Sequence, residues 1–255
     1  MKIGLSLSGG GARGIAHIGV LKALEEFKIR IDCISGSSTG ALVGALYSYG
    51  YSAEKILDTV ISTKIFSSLR PAWTWTGLVN ILNLEELILK LMPENSFDAL
   101  KIPLTIAATN LNKGHSEYFT SGKLVPVILA SCCVPVIFAP VQLNGEHYVD
   151  GGITDNLPAK ILRDRCELLI GSHCNYISRE HDVRNFRSVI ERSLLIAING
   201  NTTLSKNMCD VLIEPPDLGN TSAFDLSNIK RLYNIGYEFT KNNFTAGNFS
   251  ESSKV

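Results

Sequence analysis

The sequence has no surplus of either charge. Its 255 residues carry 24 Lys and Arg against 24 Asp and Glu, so no global field favours nucleic acid or another polyanion. It also lacks the cysteine spacing of a disulfide scaffold. Cys33, Cys132, Cys133, Cys166, Cys174 and Cys209 form no C-x-x-C pair and no framework, which points to free thiols in a reducing compartment. No uninterrupted apolar run is long enough to span a bilayer. Met1 to Ser8 contain neither a signal-type apolar core nor a small-residue cleavage site, so a soluble, cytoplasmic protein is expected. Internal repeats and low-complexity linkers are missing too.

What remains is 45% hydrophobic and 19% charged, enough to bury a sizeable core and too apolar for disorder. The length suits one α/β domain, expected over residues 1–242, with a polar tail at 243–255 that should fray. Lys2 to Ser8 reads as a strand and Ile15 to Lys28 as an amphipathic helix, joined by a glycine loop. Ile31 begins a second strand-turn-helix unit, whose helix runs to Tyr49. Two such units in succession argue for a parallel sheet with helices on its faces. Further along, the pattern predicts a helix from Ser52 to Thr63, with Ser52 as its cap, and a buried strand from Lys101 to Asn110. A hairpin should turn at Asn144-Gly145, between Val141–Leu143 and Tyr148-Val149. Leu157 to Arg165, Ser188 to Leu204 and Leu226 to Asn242 read as helices. Residues 64–97 are strongly apolar and hold both tryptophans, Trp73 and Trp75. They fit either a cap over an acyl pocket that touches lipid or ordinary core packing.

Gly36-Ser37-Ser38-Thr39-Gly40 is a G-x-S-x-G pentapeptide between the second strand and its helix. Such a turn lifts its central serine to the apex in a strained conformation, and the new helix aims its first N–H groups at the space above. Ser38 is therefore a candidate nucleophile, the alternative being a serine that caps a helix. Gly9-Gly10-Gly11-Ala12-Arg13-Gly14 satisfies G-x-G-x-x-G. A dinucleotide site would need an acidic residue at the end of the second strand, where Ser35 to Ser38 stand; a Walker loop would need Gly-Lys-Ser/Thr. Neither is present. That leaves a structural glycine turn or an oxyanion hole of glycine N–H groups reinforced by Arg13. In a parallel sheet both loops leave by the same edge, so they adjoin if their strands do.

A nucleophile needs a base. Only His173 and His181 follow Asp150 in the Ser…Asp…His order of α/β-hydrolases, and neither sits in a motif. Asp150-Gly151-Gly152, delivered by the hairpin, offers another solution: a carboxylate placed directly against Ser38, with its pKa raised by desolvation. A plain Asp-Gly turn is the competing reading.

The ordered set Gly-Gly-Gly-Ala-Arg-Gly, Gly-Ser-Ser-Thr-Gly and Asp-Gly-Gly resembles the patatin-like phospholipases, bacterial acyl hydrolases related to plant patatin. Ala130 to Pro140 is similar to that family's Ala-Ser-x-x-x-Pro-x-x-Phe-x-Pro segment, and Asn156-Leu157-Pro158 follows Asp150 as it does there. The likeness covers roughly residues 2 to 175. It implies a three-layer α/β/α fold with a mainly parallel sheet, and a Ser–Asp dyad without histidine. Ser38 would be the nucleophile and Asp150 the base. Gly10, Gly11 and Arg13 would lie in the oxyanion loop with the Thr39 N–H as a further donor, and Gly9, Gly14, Gly36, Gly40, Gly151 and Gly152 would be the motif glycines. The implied substrates are acyl esters of phospholipids, lysophospholipids and other lipids, hydrolysed through an acyl-serine at or near a membrane surface, with no metal or cofactor. A triad esterase using His173 or His181, and a lipid-binding module without turnover, are the alternatives. Asn110 departs from the family, where aspartate is frequent.

Overall fold

The computed structural model describes residues 1–63, 81–135, 138–178, 186–223 and 225–250. Residues 64–80, with Trp73 and Trp75, and His181 lie outside the described residues. The chain begins with β1 (Ile3–Leu7), α1 (Ala16–Glu26), β2 (Cys33–Ser37), α2 (Thr39–Tyr49) and α3 (Ala53–Thr63). Then come α4 (Ile81–Leu91), β3 (Leu104–Asn110), β4 (His115–Phe119), α5 (Leu124–Ser131), β5 (Val141–Leu143) and β6 (Glu146–Asp150). The last elements are α6 (Lys160–Arg163), β7 (Leu168–Ser172), α7 (Phe186–Asn207), β8 (Val211–Ile213) and α8 (Ile229–Asn243).

The strands form one eight-stranded sheet in the order β5-β6-β3-β2-β1-β7-β8, with β4 also paired to β3. β3, β2, β1, β7 and β8 are parallel, as the repeated strand-loop-helix units predict. β4, β5 and β6 are antiparallel, so the sheet is mixed: mainly parallel from β3 to the β8 edge, with an antiparallel end. The cause is the hairpin. Asn144 and Gly145 take positive φ values of 51° and 84°, and so tight a turn can only return its chain antiparallel.

β1 alternates between two buried faces. Ile3, Leu5 and Leu7 join Ile34, Leu104, Ile106 and Ile170 in a large core with residues of α1 to α5 and α8. The opposite face carries Gly4, Ser6, Cys33, Ser35, Leu169 and Gly171, against which the segment Leu157 to Leu162 packs. Small side chains on that face let the covering layer come close, completing the α/β/α arrangement.

Several elements differ from the sequence pattern for identifiable reasons. The helix expected over Leu157 to Arg165 shrinks to Lys160–Arg163 because earlier carbonyls are taken. The Asn156 carbonyl accepts from Gly9 N–H at 3.1 Å and the Pro158 carbonyl from Ser35 Oγ at 2.8 Å. α1 is preceded by a 3-10 turn, Gly11–Ile15. In the described part of 64–97, Leu84, Ile88 and Met92 form an i, i+4, i+8 stripe buried in the core, which is ordinary packing. The tail does not fray at once. Ala246–Phe249 is a 3-10 turn with a Thr245 capping box, and Phe249 is 2% exposed in the core.

Candidate functional site

Ser38 sits between β2 and α2 with φ 51° and ψ −125°. A non-glycine residue held there stores about 1–3 kcal/mol of strain and needs support. Its N–H donates to Ser131 Oγ at 2.8 Å, and that hydroxyl donates to the Ala107 carbonyl at 2.7 Å. Its carbonyl accepts from Leu42 N–H at 3.1 Å, the first bond of α2. Gly40 allows the helix its approach: a Cβ there would stand 2.4 Å from the Leu7 carbonyl oxygen.

The register explains how Asp150 reaches this serine. Ser37 pairs with Ala107 of β3, and Asp150 pairs with Ala108. β4 occupies one edge of β3 along Ile106 to Asn110, and a strand has only two edges. β6 must therefore enter the edge that β2 leaves after Ser37, which sets the two strands end to end. Ser38 Oγ donates to Asp150 Oδ2 at 2.5 Å, and Gly152 N–H donates to Asp150 Oδ1 at 2.8 Å. Asp150 N–H donates to the Cys133 carbonyl at 2.8 Å. Gly151 is as confined as Gly40, since a Cβ there would lie 2.3 Å from the Ala107 carbonyl oxygen. Asp150 is 6% exposed. Burial pushes its pKa up to about 6, against the opposing pull of the Ser38 and Gly152 hydrogen bonds. An acid so placed can take a proton from Ser38 near neutrality and return it.

The glycine loop lies beside this pair because β1 and β2 are adjacent, Leu7 opposite Gly36. Ala12 N–H donates to the Ala223 carbonyl and Arg13 N–H to the Gly10 carbonyl, whereas no acceptor among the described residues meets the N–H of Gly10 or Gly11. Both glycines, Ser38 and Asp150 line a cleft of about 90 Å³ whose other walls include Pro135, Leu194, Leu195 and Ile198. Thr39 is buried behind them. Its Oγ1 donates to the Gly11 carbonyl at 2.9 Å, and its N–H opens α2, where no intrahelical acceptor exists. Arg13 is in the loop, but its buried side chain is not part of the cleft lining and donates from Nε to the Thr221 carbonyl at 2.8 Å. The methyl of Thr39 occupies the space a Gly14 Cβ would need, and Gly9 packs in the same way against the Ser38 Cβ.

Among the described histidines none bonds Ser38 or Asp150. His173 Nδ1 pairs with Glu214 at 2.8 Å, and burial holds the His173 imidazole below its ordinary pKa. His17 is buried between Ser172 and the Ser8 carbonyl, with its pKa down at about 4. Also among the described residues, no group of three or more His, Cys, Asp or Glu side chains converges as a metal site would require. Asn110 fits its neighbours better than aspartate would. Its Nδ2 donates to Glu117 Oε1 at 3.0 Å and to Glu146, while Oδ1 accepts from Asn112 and Lys113 N–H. Sequence reasoning assigned no role to Ser131, although the Ala-Ser signal contained it. Nor did it find Asn175, whose Nδ2 holds the Gly9 carbonyl at 2.7 Å, or the apolar wall from α7, which carries no local motif.

A family model for the patatin-like phospholipases matches residues 5–163. An uncharacterized NTE family protein of Mycobacterium tuberculosis is 35% identical over 159 residues, which is 62% of this chain and 44% of that protein. Lysophospholipase NTE1 of Saccharomyces cerevisiae is 27% identical over 269 residues, 93% of this chain and 16% of that one. The chain thus spans less than half the length of these relatives. Among solved structures, VipD from Legionella pneumophila matches with a TM-score of 0.55 at 16% identity, over 94% of this chain and 66% of that one. That is a likeness of fold.

Proposed function

The chain belongs to the patatin-like phospholipase family, and from that membership we propose that it is a serine acyl hydrolase, cleaving acyl esters of lipids and phospholipids through Ser38 and Asp150. The observation that carries this reading is the 2.5 Å hydrogen bond from Ser38 Oγ to Asp150 Oδ2, made by a strained serine to a buried carboxylate whose pKa lies at about 6.

The reaction has two halves. Asp150 takes the Ser38 proton as Oγ attacks the ester carbonyl, and the oxygen of that carbonyl becomes negative beside the N–H groups of Gly10, Gly11 and Thr39. The tetrahedral species collapses, the C–O bond to the alcohol breaks, and protonated Asp150 gives its proton to the departing oxygen. Acyl-Ser38 is left. Water then attacks the acyl carbon while Asp150 takes its proton; that proton returns to Ser38 Oγ and the carboxylic acid leaves. Arg13 supports the loop from behind.

The apolar wall of Leu194, Leu195 and Ile198 suits an acyl chain, and NTE1 relatives named lysophospholipases favour lysophospholipids as the first substrates to try. Access to such esters brings the protein to a lipid surface. Among the described residues no helix is long and apolar enough to cross a membrane.

A fluorophosphonate probe, followed by peptide mapping, tests the reading. Labelling should fall on Ser38, and Ser38→Ala should abolish both labelling and hydrolysis of lysophosphatidylcholine and p-nitrophenyl esters. A folded Ser38→Ala variant that still hydrolyses them would refute the assignment. Wild-type protein that is neither labelled nor active would favour a lipid-binding module. Substitution of His173 or His181 should leave turnover in place.

A further inference from the structure

The dyad leaves one buried polar side chain of the cleft without a task. Asn156, in the Asn-Leu-Pro stretch after Asp150, is 2% exposed and lines the same cleft as Gly10, Gly11, Ser38 and Asp150. Its Nδ2 is buried and meets no hydrogen-bond partner among the described residues. Its Oδ1 occupies the space that a Cβ would need at both Gly9 and Gly152, 2.6 and 2.7 Å from those positions. The Gly9 position is also 3.0 Å from the Ser38 Cβ, so the carboxamide and the serine flank one point.

The main chain of Asn156 already ties the two loops together. Its carbonyl accepts from Gly9 N–H and its N–H donates to Asn201 Oδ1 at 3.4 Å. The side chain is not needed for that. Asn175 makes a useful contrast, because its amide is spent on the Gly9 carbonyl at 2.7 Å. A buried amide without a partner destabilises the free protein, and an apolar residue of similar size would not. A half-turn about the last side-chain bond exchanges Oδ1 with Nδ2, which puts the N–H beside Gly9 and the Ser38 Cβ.

We propose that the Asn156 carboxamide donates a hydrogen bond to the carbonyl oxygen of the ester as it becomes tetrahedral, beside the N–H groups of Gly10 and Gly11. This makes Asn156 a catalytic residue, and the inference rests on the reading that Ser38 attacks an ester. A neutral donor is the right chemistry there: it strengthens as charge develops on the oxygen and binds the uncharged ester only weakly.

Asn156→Ala and Asn156→Asp, assayed on p-nitrophenyl butyrate and lysophosphatidylcholine, test it. Both should lower kcat by about 100- to 1,000-fold, the loss typical of one oxyanion donor, with little change in KM. Inhibition by a trifluoromethyl ketone, whose Ser38 adduct carries the oxyanion, should weaken in the same proportion, while a non-hydrolysable ether analogue should bind as before. The aspartate variant should also move the acid limb of the pH profile upward, because a second carboxylate beside Asp150 raises its pKa. A folded alanine variant with kcat within about tenfold of wild type, or one whose kcat falls while ketone inhibition is unchanged, overturns the proposal. Should alanine prevent folding, the near-isosteric aspartate decides on the same measurements. An active wild type with active Asn156 variants refutes this inference alone. An inactive, unlabelled wild type refutes the dyad with it.

Discussion

Asp150 is buried, and the proposed reaction requires it to ionise, so its environment sets the pH at which that reaction can run. Burial raises its pKa to about 6, so the carboxylate that the proposed reaction needs as base prevails above that pH and is lost below it. The kcat/KM for a soluble ester should therefore be level near pH 7.5 and fall with unit slope below pH about 6. A limb centred near pH 4 would show that the burial penalty is not felt. Asp150→Asn cannot take a proton and should lose about 100- to 10,000-fold in kcat, the range of general-base catalysis. Its Tm should not fall, because a raised carboxylate pKa means that the native state disfavours the charge which the substitution removes. Ser38 and Asp150 could be picked out of the chain as candidates because close backbone approach demands glycine beside each, at Gly40 and Gly151. Their pairing was expected from the ordered motifs; the register that joins residues 112 positions apart was not legible. The direction of the Arg13 side chain was equally hidden, because the carbonyl it reaches belongs to Thr221.

β2 and β6 share one edge of β3, and α5 secures the junction. Ser131 Oγ takes the Ser38 N–H and gives its proton to the Ala107 carbonyl, so one hydroxyl on α5 spans the break between the two strands. Ser131→Ala leaves the buried Ser38 N–H unpaired and should destabilise the fold by about 1–3 kcal/mol in urea titration. Without that anchor the strained φ of 51° can relax, and kcat should drop more than KM rises. Wild-type values of both stability and kcat would remove Ser131 from the account. The parallel units at β1 and β2 were legible because each couples a buried strand to a helix of the right period. The short α6 was not, because its missing turns are suppressed by Gly9 and Ser35, far away in sequence. The end-to-end placement of β2 and β6 has no signal in either strand; it follows from the Asn144-Gly145 turn and from β4 claiming the other edge.

Across the whole molecule the two ends of the parallel strands do different work. Of the buried polar atoms without partners among the described residues, those of Ser37, Asn156, His173 and Asn175 stand at the carboxyl end with the strained Ser38, and Ser48 Oγ stands toward the amino end. The amino end is tied down: Asp32 accepts from Ile3 N–H at 2.9 Å and Glu167 from Lys2 N–H at 2.7 Å. There Phe249 packs 6.1 Å from Phe27 and 6.0 Å from Phe244 between ring centroids, with Lys241 Nζ 4.7 Å from the Phe27 ring. The sheet separates these regions, so stability lost at one end need not reach the chemistry at the other. Phe249→Ala opens a cavity and should cost about 3–5 kcal/mol, seen as an earlier urea midpoint with an unchanged slope. The molecules that remain folded should keep wild-type kcat and the same acid limb near pH 6, because neither the Ser38–Asp150 bond nor the burial of Asp150 depends on that ring. A loss of kcat in proportion to the loss of stability would mean that the two ends of the sheet are mechanically coupled, and that the site relies on support from the far edge.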